Sequence, residues 1–189
     1  MSWHRRDVRH ALAGAALMLC LSGCVVVSVN PFYDEQALTF DERLLGTWLD
    51  ADDDLRVSVE RSDWRSYRLD YAYPTQKGQL TGYLFKIGDA LYLDLMPLRG
   101  EDSGPFLVPV HAVVRVQPGT TTLTLWPLAY DWFKKGAAEP VSRRPLQAAL
   151  GERDHLVITA PPAALRAWLR GRPENDPARG PVSTFVRQP

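Results

Sequence analysis

Cysteine is nearly missing from this chain. Its 189 residues hold two, Cys20 and Cys24, too few for the disulfide frame of a small secreted domain or for a thiolate zinc site. Histidine is almost as scarce, with only His111 and His155 beyond residue 10. A metal site there would draw most of its ligands from carboxylates, and no metal-ligand spacing occurs, so neither metal nor cofactor is expected. An excess of one charge is lacking too, with 22 basic against 22 acidic side chains. Nothing electrostatic favours nucleic acid, whose phosphates need a basic surface. No apolar run reaches the roughly 18–20 residues of a spanning helix. There is no G-x-S-x-G elbow, P-loop or G-x-G-x-x-G, and a non-catalytic protein is the expectation.

A shorter apolar run is present. Residues 1–10 carry Arg5, Arg6 and Arg9 against Asp7, and Ala11–Leu21 is uncharged and rich in Ala and Leu. A basic start, a short apolar run and small residues at its exit make a secretory signal peptide over residues 1–23. An all-apolar helix with no polar face for water fits a buried core helix poorly. Without residues 1–23, 166 of the 189 residues remain, with 19 basic and 21 acidic side chains. That is enough for one domain with a core of its own. Residues 24–38 read as a tether and 39–189 as the domain.

The exit of the run is Leu21-Ser22-Gly23-Cys24. It resembles the lipobox of bacterial lipoproteins at every position. The resemblance implies a diacylglycerol on the Cys24 sulfur, cleavage before Cys24 and acylation of the new N-terminus. Val25 follows where an aspartate would retain such a protein in the inner membrane, which implies the outer membrane of a Gram-negative envelope, facing the periplasm. One acyl chain binds a bilayer marginally, whereas two or three hold it durably.

Beyond residue 38 the pattern changes. Thr39 and Glu42 fit a capping box for a single helical turn that stops at Gly46. The period then becomes two. Leu55, Val57 and Val59 alternate with polar residues, as do Tyr67, Leu69, Tyr71 and Tyr73, then Leu91, Leu93 and Leu95. Val108–Val116 and Leu123–Leu125 continue the theme. Such alternation marks strands with one buried face. Turn signals at Asp52-Asp53-Asp54, Lys77-Gly78, Gly88-Asp89, Gly104-Pro105 and Pro118-Gly119 separate the runs, which together predict an antiparallel barrel or sandwich. Two helices are predicted at Pro127–Lys135 and Pro161–Arg170, each with proline first and glycine after. A strand is expected at His155–Thr159 and a closing one at Ser183–Arg187.

Leu45-Gly46-Thr47-Trp48, opening the first strand after one helical turn, resembles the G-x-W opening of lipocalins and their calycin relatives. The resemblance implies a mainly β fold, a lipocalin-like antiparallel barrel whose tryptophan plugs one end. It also implies an arginine from near the last strand packed on that ring, for which Arg187 is the candidate. Over residues 40–170, "LYLDLMP", "VPVHAVVRV", "DWFKK" and "ITAPPAALRAWL" are similar to a group of small envelope lipoproteins of unassigned function.

Asp50–Asp54 places carboxylates at positions one, three and five of a calcium loop. Leu55 stands where that loop needs glycine and Arg61 where it needs glutamate, so a solvated turn is the better reading. His111 interrupts an apolar run, and pairing of neighbouring strands brings Asp94 and Tyr92 to it. Inside a barrel such a group could orient a ligand head group or act as an acid–base pair. As a core or rim histidine it needs only one hydrogen bond. Tyr67, Tyr71, Tyr73, Trp126, Trp132 and Trp168 could line a cavity, or could simply fill the barrel and pack the helices. The candidate ligand-binding set is Tyr67, Tyr71, Tyr73, Tyr92, Asp94, His111, Trp126 and Trp132. Three functions follow from this reading. The first is a membrane-anchored binder of a small apolar or amphiphilic molecule. The second is an interaction lipoprotein with a filled barrel that docks an envelope protein. The third, behind both, is a hydrolase or isomerase using His111 and Asp94.

Overall fold

The computed structural model describes residues 25–50, 52, 54–98, 108–150, 155–173 and 175–189. Cys24 and the signal segment lie outside them. Eight strands form a closed barrel: β2 (Gly46–Asp50), β3 (Leu55–Arg61), β4 (Ser66–Ala72), β5 (Lys77–Ile87), β6 (Ala90–Pro97), β7 (Ala112–Pro118), β8 (Thr122–Pro127) and β11 (Ser183–Arg187). Each pairs antiparallel with its neighbours, and β11 joins β8 to β2. Three short strands, β1 (Val27–Ser28), β9 (Ala148–Leu150) and β10 (Leu156–Ile158), make a separate sheet in the order β1-β10-β9. Two short helices, α1 (Tyr130–Ala138) and α2 (Pro162–Arg170), complete the fold. The mainly β barrel with two helices is therefore the architecture that the alternating runs predict. No helix among the described residues is long and apolar enough to cross a membrane.

The period of two sorts side chains onto the two faces of the wall. Leu55 and Val59, Tyr67 and Leu69, and Leu93, Val116, Leu123 and Phe185 point inward and form the inner cluster. On β5, β6 and β7 the outer face is apolar as well. Phe85, Ile87, Tyr92 and Val113 pack there against Phe133 of α1, Leu165 and Leu169 of α2, and Ile158 of β10. A strand covered on both faces reads as a continuous apolar run instead of an alternation. This is why β5, the longest strand at 11 residues, carries no clean period in the sequence. Its inner side is thinned by glycine: a Cβ on Gly82 would stand 2.9 Å from Leu69 Cδ1, and Gly78 lies under the Tyr71 ring.

Several local expectations are corrected. Helix α1 begins at Tyr130, not Pro127, because Pro127 still pairs with Val114 at the end of β8 and Leu128 bridges Arg179. Gly136 lies within α1, where a Cβ would come 3.1 Å from Pro145 Cδ. The single turn before β2 is a 3-10 turn, Glu42–Leu44, capped by Asp41 in place of Thr39; the Asp41 carboxylate accepts from the Arg43 N–H. Residues 25–38 do not hang free as a tether. Val26, Phe32 and Leu38 are buried in the outer cluster, so the segment is glued to the wall by apolar burial.

One end of the barrel is plugged. Trp48 is fully buried and its indole N–H donates to the Leu44 carbonyl at 2.9 Å. The Arg187 guanidinium lies 4.2 Å from the centre of the Trp48 ring and donates to the carbonyls of Leu45 and Arg43, each at 2.6 Å. This is the packing that the lipocalin resemblance implies for Arg187. Tyr67 ties the turn to β4: its hydroxyl accepts from the Asp41 N–H at 2.7 Å, and burial pushes its pKa up to about 12. Phe40 stacks on Tyr67 at 4.6 Å. Gly46, with φ of 120°, leaves room for Arg187; a Cβ there would meet the guanidinium at 2.6 Å.

Arg187→Ala removes three charge-assisted hydrogen bonds, to the carbonyls of Arg43, Leu45 and Thr120, and a cation–π contact, and should lower unfolding free energy by about 2 kcal/mol. Arg187→Lys should recover less than half of this, because an ammonium cannot fork to two carbonyls while stacking. Urea unfolding followed by circular dichroism measures both, and full recovery by lysine would contradict the clamp.

Candidate functional site

Above the plug the barrel is hollow. A cavity of about 640 Å³ runs from Trp48 to the opposite end, within the ~300–1,000 Å³ range of small-molecule sites. Its walls are the inward positions of the alternating strands, including Leu69, Leu93, Val114, Val116 and Phe185. The lining is overwhelmingly apolar, with the hydroxyls of Tyr71, Tyr73 and Ser183 and the exposed imidazole of His155 its chief polar groups. Tyr73, Pro97, Val110, Pro127 and Ser183 all lie at the strand ends far from Trp48, so the mouth is at that end. The separate sheet stands over one side of it, contributing Val27 from β1 and Leu156 and Val157 from β10. Val25 and Val26, the first described residues, also line the opening.

Of the candidate residues, Tyr67, Tyr71 and Tyr73 line this cavity, with Tyr67 at its floor. The other five lie outside it. With Leu91, Leu93 and Leu95 pointing in, Tyr92 and Asp94 on the same strand must point out. Likewise Leu123 and Leu125 turn Trp126 outward. Tyr92 and Trp126 meet only a water-sized recess of about 10 Å³ on the outer surface. Trp132 packs against Phe133 and Trp168, with ring centres at 5.0 and 6.0 Å, where α1 meets α2.

Asp94 and His111 do come together, on the outer side of the wall and not in the barrel as a head-group or acid–base pair requires. Asp94 is fully buried, and its Oδ1 lies 2.7 Å from His111 Nδ1. Its Oδ2 accepts from the Phe32 N–H at 2.8 Å. Ser28 and His111 exchange both backbone hydrogen bonds, each at 2.8 Å. The pair therefore pins residues 28–32 to the start of β7. Burial raises the Asp94 carboxyl above its ordinary value, and hydrogen bonds from His111 and Phe32 pull the other way. Among the described residues no group of three or more His, Cys, Asp or Glu could hold a metal ion.

Sequence reasoning missed the aliphatic lining because it sought a site among polar and aromatic groups. The same alternation that identified the strands also marks Leu69, Leu93, Val114 and Val116 as interior. Comparison with known proteins finds no match to a family model, to a curated protein or to a solved structure.

Because the folded state holds the Asp94 proton more tightly than the unfolded chain, its contribution is complete below the ordinary value of 3.8 and is lost as pH rises through the raised folded value. The stability advantage of the protein over Asp94→Asn should accordingly shrink as pH rises above the ordinary value of 3.8. Urea melts at a series of rising pH values test the sign, and a growing advantage would contradict it. Asp94→Ala leaves His111 and the Phe32 amide without a buried partner and should cost about 3 kcal/mol.

Proposed function

We propose that this protein is a lipid-anchored envelope protein that holds one small apolar or amphiphilic molecule in its barrel, without transforming it. The single observation that carries the reading is the hollow interior: about 640 Å³, apolar, plugged at one end and open at the other. A methylene group fills about the volume of a water molecule, ~30 Å³, so a cavity of about 640 Å³ has room for on the order of twenty. That matches the bulk of one long acyl-type chain. Each methylene moved from water to such a wall is worth about 0.8 kcal/mol. The tyrosine hydroxyls and His155 near the opening suit a polar head left at the surface. A filled barrel, which the partner-docking alternative assumes, is not favoured by a cavity of this size. The Asp94–His111 pair lies under the N-terminal segment and away from the cavity, which supports binding over acid–base chemistry there. The lipobox and the Cys24 it ends on supply the anchor in this reading.

Titration with cis-parinaric acid, a fluorescent fatty acid, should saturate at one molecule per chain. Val114→Trp, which fills the cavity midway, should weaken binding by about tenfold or more while leaving the unfolding midpoint close to that of the parent. Absence of saturation, or equal binding by the filled variant, would remove the carrier reading. Mass spectrometry of protein extracted from membranes should find Cys24 N-terminal and acylated; an intact initial methionine would remove the anchor.

A further inference from the structure

The rim of the mouth is not uniform. Leu98, Val108 and Val182 are large apolar residues left 43%, 69% and 56% exposed. Each adjoins the opening. Leu98 follows Pro97 at the end of β6, Val108 stands two residues before Val110 ahead of β7, and Val182 precedes Ser183 at the start of β11; Pro97, Val110 and Ser183 all line the cavity. In the barrel order β6-β7-β8-β11 these positions span one continuous arc. The N-terminal segment reaches the mouth on the same arc, because Ser28 is bonded to His111 just before β7. Val25, one residue after Cys24, lines the opening there. The other half of the ring, β2 to β5, begins one strand from β11, and there the β2–β3 turn exposes Asp52 and Asp54. Exposed apolar side chains gathered at one rim mark a surface that meets another apolar phase, and the lipid proposed on Cys24, the residue before Val25 in the chain, says which phase that is.

We infer that the β6–β11 arc of the rim is a membrane-docking surface, so that the cavity opens onto the lipid leaflet and takes its ligand from it. This rests on the reading of Cys24 as lipidated and of the barrel as a binder. Leu98, Val108 and Val182 enter the head-group region beside the anchor. The acidic β2–β3 turn tilts away into water. An amphiphile then passes between leaflet and cavity without crossing bulk water, the costly step for an acyl chain.

The test uses the full, processed chain in phosphatidylcholine vesicles. Its one remaining thiol is blocked by lipid, so Val108→Cys and, at the plugged end, Asp89→Cys can each be labelled with an environment-sensitive nitrobenzoxadiazole. The label at 108 should shift to the blue and be quenched by brominated acyl chains; the label at 89 should do neither. Equal behaviour at both positions overturns the inference. A blue shift at 108 without quenching, in a species of doubled mass, would mean that a second copy covers the rim, and overturns it too. Separately, Leu98→Asp combined with Val108→Asp and Val182→Asp should slow transfer of cis-parinaric acid from vesicles by about tenfold or more, with its affinity in solution unchanged. Unchanged transfer counts against docking alone. Loss of binding by the parent protein counts against the carrier reading, and the labels still report on docking.

Discussion

Ring closure is the constraint on which the rest of this molecule depends. An open eight-stranded sheet would leave two unpaired edges and an unprotected apolar face. Here the seam between β11 and β2 is short, with two residue pairs in register, Val186 with Leu49 and Arg187 with Trp48. The Arg187 side chain extends that seam by bonding to the carbonyls of Arg43 and Leu45 and covering the Trp48 ring. One residue near the C-terminus thus ties the last strand, the first strand and the 3-10 turn together. The plug, the cavity above it and the position of the mouth all follow from that joint.

The wall does two tasks with one alternation. Around the whole barrel the inward positions surround the cavity. On β5, β6 and β7 the outward positions carry a second core, larger than the first, in which α1, α2 and the small sheet are seated. Polar groups in that outer core are few. Asp94, fully buried, has its two oxygens engaged by His111 and Phe32, whereas the buried Trp168 indole N–H has no hydrogen-bond partner and lies under the Arg172 guanidinium. This division explains how a barrel can stay hollow and still be stable. Burial on the outside offsets what the interior leaves unfilled, and the interior is free to take up something else.

Much of this was legible in the sequence, and the legible part has a common cause. A run such as Leu55-Val57-Val59 faces a core on one side and water on the other, and its period shows it; Leu91-Leu93-Leu95 keeps the period because Asp94 interrupts its covered outer face. The Gly46-Thr47-Trp48 opening and Arg187 were readable because the plug is local chemistry with few solutions. What was not legible needed partners distant in sequence. Strand β5 hides its period because Tyr83, Phe85 and Ile87 are covered by elements outside the barrel. β1 and β9 are two and three residues long, and nothing in Val27–Ser28 announces that it pairs with Val157–Ile158. Proximity of Asp94 to His111 could be deduced from neighbouring strands, but the face could not be assigned while residues 25–38 were taken for a loose tether. Three tyrosines of the candidate set fall on the cavity and five other residues do not, since aromatic character alone does not distinguish the two sides of a wall.

The clasp made by Asp94, His111, Ser28 and Phe32 has a consequence for reach. A flexible leader lets a domain wander over a distance that grows as about the square root of its length. This domain has no such slack: its described chain is already seated on the rim at Val25, and residue 24 lies one peptide step, about 3.8 Å, beyond. With the acylation proposed for that residue, the barrel would be a fixture, not a rover, and the molecules it could meet would be those that come to within its own radius of the anchor.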